Sequence, residues 1–160
     1  MNGWESFLLA EVGASATLTG LIFVGVSINL NKILALPRLP NRALEALILL
    51  LTVLVVASLL LVPGETLRTA GYEMLGVGAA VWLVIVLIDV DLWRTSEASY
   101  RAHTRLLILM NQLSLLPYII GGIHILAAGA NGLYWLVAGM LFSFVKAVVD
   151  AWVLLVEINR

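Results

Sequence analysis

The chain has 160 residues, 62% of them hydrophobic and 12% charged, with a formal net charge of −1. A soluble domain is about 45–50% apolar and about 25% charged, so a water-soluble globule is excluded and an all-α integral membrane bundle is expected. The near-neutral balance excludes a basic nucleic-acid surface, and the lack of cysteine excludes disulfides, a thiolate metal site and a cysteine nucleophile.

Five apolar segments follow in a single transmembrane domain, 1–160, each about 20–25 residues long. That length crosses a hydrocarbon layer of ~30 Å at 1.5 Å per residue. The first, 7–30, is dense in small residues from Gly13 to Gly20, which let helices approach closely. It is expected in the interior of the bundle or at a subunit interface. No Lys or Arg precedes it, so it is expected to stay on the chain rather than be cleaved as a signal peptide. Pro37 and Pro40 break the chain before the second segment, 43–62, which is apolar all round and expected to face lipid over most of its surface. Pro63 and Gly64 end it. The third, 72–93, carries Gly76, Gly78, Ala79 and Ala80 as packing signals. Its Asp89 and Asp91, two apart, point about 160° away from each other. Asp91 shares the Gly76 and Ala80 face and is expected to be the inward one. The fourth, 106–128, places Asn111, Ser114, Tyr118 and Gly122 on one face with Pro117 inside it, and Gln112 and Gly121 beside it. Pro117 removes one backbone hydrogen bond, which reads as a kink or as a hinge next to a small polar site. A tight turn at Ala130-Asn131-Gly132 leads to the fifth, 132–155.

The basic residues alternate between loops. Lys32, Arg38 and Arg42 lie in the first, Arg94, Arg101 and Arg105 in the third, only Arg68 in the second and none in the fourth. The positive-inside rule then predicts an outside N-terminus and a cytoplasmic C-terminus ending in Arg160. Trp4, Tyr72, Tyr134 and Trp135 fall at the outer boundary and Trp93 at the inner one, as an aromatic belt requires.

The fifth segment bears an ordered polar stripe. Gly139, Ser143, Lys146, Asp150 and Glu157 fall within a sector of about 60° on a helix. A charge in the middle of a span is costly and must face protein, water or a counter-charge. Two readings follow: a structural ion pair of Lys146 and Asp150 at i, i+4, or a stripe lining an aqueous path with Lys146 as a charge gate or anion attractor. Asn111, Gln112 and Asp150 fall at similar depth, on the cytoplasmic side of the middle. Glu11 and His124 form a second candidate pair, both about 10 Å outside the middle, where a carboxylate beside an imidazole can relay protons.

Two histidines make neither a haem pair nor a zinc site, so no metal and no cofactor are expected. No phosphate-binding glycine loop and no Ser-His-Asp spacing are present, and the chain is not expected to be an enzyme.

The stretch from Gly13 through Thr17, Gly20 and Gly25 to Leu30, continued in Leu39-Pro40-Asn41-Arg42-Ala43-Leu44-Glu45, resembles a family of small, uncharacterised bacterial multi-pass inner-membrane proteins. About 35 residues carry the resemblance. It implies a multi-pass protein of the bacterial inner (plasma) membrane, and no catalytic residues.

The function expected from these features is a small oligomeric channel or transporter-like protein for a small ion. Its partners would be the lipid bilayer and further copies of itself, and its path the axis of the oligomer or a narrow polar seam. The alternative is a non-conducting accessory or scaffold subunit of a membrane complex, with another membrane protein as partner. The candidate path-lining or buried polar residues are Lys146, Asp150, Ser143, Asn111, Gln112, Tyr118, Glu11, His124 and Asp91.

Overall fold

The computed structural model describes residues 3–158, the side chain of Ser99 excepted. Arg160, which the orientation reading names at the C-terminus, lies outside them. The elements are α1 (Glu5–Ile28), the short α2 (Leu30–Ala35), α3 (Leu39–Leu60), α4 (Leu67–Thr95), α5 (Arg101–Ala128) and α6 (Leu133–Ile158). Single 3-10 turns, Ala98–Tyr100 and Gly129–Gly132, precede and follow α5. Among the described residues there is no strand. Four continuous helical stretches are long and apolar enough to cross a membrane. The last, Arg101–Ile158, contains both α5 and α6, folded back on each other at the Gly129–Gly132 turn.

Local chemistry explains where the helices begin and stop. Pro40 lies in the first turn of α3, where its missing N–H would have had no partner in any case. The break falls instead at Pro37, after α2. Arg38, the N-cap of α3, takes a left-handed φ of 78° and donates from Nη2 to the Thr95 carbonyl at 3.1 Å. Pro63-Gly64 follows α3, with Gly64 at φ 80°. Thr66 caps α4 by accepting from the Thr69 N–H at 3.1 Å. Pro117 is accommodated inside a helix that runs on to Ala128.

The long helices alternate in direction. Asp89 of α4 meets Asn111 of α5, while Gly71 of α4 meets Ile125 and Leu126. Tyr118 of α5 meets Ser143 of α6, while Gly121 meets Leu136. Glu45 of α3 meets Lys146. One end of the bundle gathers the basic loops: Arg38 reaches Thr95, Arg42 reaches His103, and Trp93 lies under Arg101 and Arg105, each 5.8 Å from its ring. The other end holds aromatic groups, with the Trp4 and Tyr134 rings 5.3 Å apart and Trp135 donating to His124.

The helices do not take the layers that composition suggests. α3, apolar over most of its length beyond Glu45, is central: 56% of its most apolar stretch is buried, against 17% for α1. It packs against α1, α4 and α6 and supplies Leu49, Val53, Val56 and Ala57 to the core. This corrects the lipid-facing expectation for the second segment. The small-residue helix α1 is peripheral rather than interior. A methyl group added at Gly13, Gly20 or Gly25 would meet nothing within 4 Å. The close approaches lie elsewhere. A Cβ at Gly122 would stand 2.9 Å from the Leu75 backbone nitrogen, so α4 and α5 touch backbone to backbone there. On α4, Gly71 and Gly78 are buried and Gly76, Ala79 and Ala80 are exposed.

Candidate functional site

The polar stripe of α6 faces the interior of a single chain. Gly139, Ser143, Lys146 and Asp150 are buried, with Lys146 1% and Asp150 0% exposed. The Lys146 ammonium donates to Glu45 Oε2 on α3 at 3.1 Å and to Asp150 Oδ2 one turn along α6. Arg42, at the start of α3, brings Nη1 to 3.9 Å from Asp150 Oδ1 and donates from Nη2 to His103 Nε2 at 3.2 Å. Glu45 is 4% exposed. Arg42 and Glu45, three apart on α3, share one face, and α3 runs antiparallel to α6, so both meet the stripe.

Beside this lies a cluster between α4 and α5. Asp89 accepts from Asn111 Nδ2 at 2.8 Å and from Gln112 Nε2 at 3.1 Å. The Gln112 oxygen accepts from the Trp82 indole N–H at 2.7 Å. Asp89 is within electrostatic reach of Glu45 and Lys146. The two groups form one buried patch in which two cations, Arg42 and Lys146, face three carboxylates, Glu45, Asp89 and Asp150. Three atoms of this patch are buried without a hydrogen-bond partner: Asp150 Oδ1, Arg42 Nη1 and Asn111 Oδ1. Desolvating a charge costs several kcal/mol unless partners replace water; here Asp150 Oδ1 faces Arg42 Nη1 across 3.9 Å, while Asn111 Oδ1 has no donor.

Toward the aromatic end, the Tyr118 hydroxyl lies 3.2 Å from Ser143 Oγ. Tyr118 is completely buried, and its ring lies over Gly139, where a Cβ would come within 3.1 Å. A Cβ at Gly139 would require the ring to give by a few tenths of an ångström. Beyond Tyr118, Glu11 of α1 is buried with Leu8 and Ser15. It is within electrostatic reach of Tyr118, and one of its carboxylate oxygens, Oε2, has no hydrogen-bond partner.

The structure thus brings Lys146, Asp150, Ser143, Asn111, Gln112 and Tyr118 into one interior seam, with Glu11 beside it. Two candidates fall outside. Asp91 is exposed and lines a cleft at the basic end with Arg38, Asn41 and Glu97. The inward carboxylate is Asp89, because α4 packs on α5 through Gly71, Met74, Gly78 and Ile85, and Asp89 continues that face while Asp91 does not. His124 is exposed and accepts from Trp135 Nε1 at 3.1 Å. On α5 it points away from the buried face, which runs through Tyr118, Gly121, Gly122 and Ile125, so it does not join Glu11.

Four participants were not picked out from sequence: Glu45, Arg42, Trp82 and His103. For Glu45 a signal existed. Lys146 needs a counter-charge at its own depth, and Glu45 lies about 7 Å from the midpoint of α3 toward the basic end, level with Asp150 on α6. Among the described residues, no three His, Asp or Glu side chains converge as metal ligands. Comparison of the chain with protein-family models, with curated proteins and with solved structures returns no match.

Proposed function

We propose that the chain is a transporter-like or channel protein for a small cation, with five transmembrane spans in a bacterial inner membrane. The N-terminus lies outside and the basic end in the cytoplasm. The supporting observation is the buried patch of two cations and three carboxylates with unbonded acceptors on Asp150 and Asn111. Ionisable groups inside a membrane bundle mark ion paths and proton relays, because their cost is otherwise unrewarded. Since Ser143, Lys146 and Asp150 are buried within one chain, the path is a seam inside each protomer, bounded by α3, α5 and α6, rather than the axis of an oligomer. Lys146 sets the field of the seam between Glu45 and Asp150. The membrane location rests on the long apolar helices, and the orientation on the gathering of Arg38, Arg42, Arg94, Arg101 and Arg105 at one end.

A specific feature favours the second reading, an accessory subunit. Gly13, Ala16, Thr17 and Gly20 form an exposed small-residue strip on α1, suited to a helix of a second copy or of another membrane protein. The two readings separate in one experiment: cation flux into liposomes containing the purified chain, with its mass in detergent measured alongside. Flux that Lys146→Met alters without changing the mass supports the transporter. Absence of flux from well-folded protein rejects it and leaves the accessory role.

A further inference from the structure

We propose that Glu11 is the outward-side proton acceptor of this seam, and hence that the cation carried is the proton. The inference rests on the ion-path reading above and deepens it.

A cleft of about 470 Å³ opens at the aromatic end between the start of α1 and the α3–α4 loop, and two carboxylates, Glu5 and Glu65, line it. They give the mouth a negative field that concentrates cations. Leu8, also in its lining, is 3% exposed. Glu11 shares the buried face of α1 with Leu8 and lies one turn deeper, about 4.5 Å along the axis. It is 8% exposed, yet Oε2 has no donor. The neighbouring hydroxyl does not supply one, because Ser15 donates to the backbone carbonyls of Glu11 and Val12. A buried carboxylate without a donor is satisfied most directly by a proton of its own.

The next groups inward carry exchangeable protons. The Tyr118 hydroxyl, within electrostatic reach of Glu11, is bonded to Ser143, and Lys146 follows Ser143 by three residues on α6. Asp150 then offers its unbonded Oδ1, 3.9 Å from Arg42, which contacts His103 at the basic end. The seam is filled by side chains at Tyr118, Ser143 and Lys146, each 1% exposed or less. A hydrated metal cation needs a lumen, whereas a proton passes by exchange between hydroxyls, carboxylates and transient waters. In each transfer Glu11, protonated at rest, releases its proton inward and then takes one from water in the outer cleft, returning to its starting state.

The test is proton uptake by proteoliposomes loaded with a pH-sensitive dye, with the potential clamped by potassium and valinomycin, and with sodium uptake measured in parallel. The full chain is compared with Glu11→Gln and Glu11→Asp. Wild type should take up protons, Glu11→Gln should lose about a hundredfold of that rate, and Glu11→Asp, which keeps the acid, should recover much of it. Proton uptake by Glu11→Gln at the wild-type rate overturns the assignment. Sodium uptake without proton uptake overturns it while leaving the ion path standing, and absence of both fluxes overturns both. Should Glu11→Gln fail to fold, the infrared carbonyl band of a protonated carboxyl decides. A band that shifts in Glu11→Asp supports the proposal, and its absence in wild type at both about pH 5 and about pH 8 rejects it.

Discussion

Replacing Lys146 with Met removes the one charge that both Glu45 and Asp150 contact. At an effective dielectric constant near 20, two unit charges 3.1 Å apart attract by about 5 kcal/mol, the gross strength of the Lys146–Glu45 contact. Asp150 keeps Arg42 at 3.9 Å, about 4 kcal/mol on the same scale, so its loss is partial. The variant also has an escape. A carboxylate deprived of its partner can take up a proton, which at pH 7 costs about 4 kcal/mol from its ordinary range. Neutralisation therefore caps the damage, and the expected destabilisation is about 3–5 kcal/mol. Unfolding in mixed micelles, followed through the five tryptophans, measures it. A companion variant, Lys146→Met with Glu45→Met, removes the stranded carboxylate while Asp150 keeps Arg42, and should recover at least half of the loss, because a buried charge is costly only when left unpaired. A single Lys146→Met within about 0.5 kcal/mol of wild type would place the ammonium in water rather than in a dry seam and refute the reasoning, as would a double variant no better than the single.

Three further outcomes follow from named contacts. Asp89→Ala strips the acceptor from Asn111 and Gln112 and should cost about 2–4 kcal/mol, while Asp91→Ala, on the exposed side of the same helix, should stay within about 0.5 kcal/mol; equal effects in micelle unfolding would reverse the rotation of α4. Gly122→Ala sets a methyl 2.9 Å from the Leu75 nitrogen, a backbone atom that cannot turn aside, and should cost about 1–3 kcal/mol. Gly20→Ala, in open space, should be neutral or gain up to about 1 kcal/mol, measured the same way. Tyr118→Phe deletes the bond to Ser143 and should lose about 1 kcal/mol with no change in helix content by circular dichroism.

The helical architecture and the α6 stripe were legible in the sequence, while the layering of the helices was not. Five apolar segments separated by Pro37, Pro63-Gly64 and the Ala130–Gly132 turn correspond to the five long helices, although α3, α4 and α5 each begin four or five residues earlier than apolarity alone indicates. Their first turns carry Arg42, Arg68 and Arg101, polar enough to fall outside an apolar window yet fully able to form helix. The stripe was readable because Lys146 and Asp150 cannot face lipid and so point inward wherever the helix is placed. Their partner Glu45 was harder to find, because a carboxylate in the second turn of α3 reads as a hydrated group at the membrane boundary until the antiparallel neighbour that covers it is known.

The errors over α3 and α4, and the interior half of the α1 expectation, share one cause. In water, apolarity means inside. In lipid it carries no sign, because a leucine is as comfortable against acyl chains as against another helix. The apolar stretch 48–56 of α3 could thus occupy the centre or the edge, and only its neighbours decide. Small residues fail as a guide for a related reason: Gly13 and Gly20 permit close approach, but approach needs a surface of matching shape, and within one chain Gly122 finds it at Leu75 while the α1 strip does not. Polarity remains the dependable sign, and it argues for the seam over a chance collection of pairs. Buried charges and hydroxyls on α1, α3, α5 and α6 descend from Glu11 through Tyr118 and Ser143 to Lys146, Glu45, Asp150 and Arg42. A succession along the depth of the bundle, with free acceptors at Glu11 and Asp150, serves passage better than adhesion.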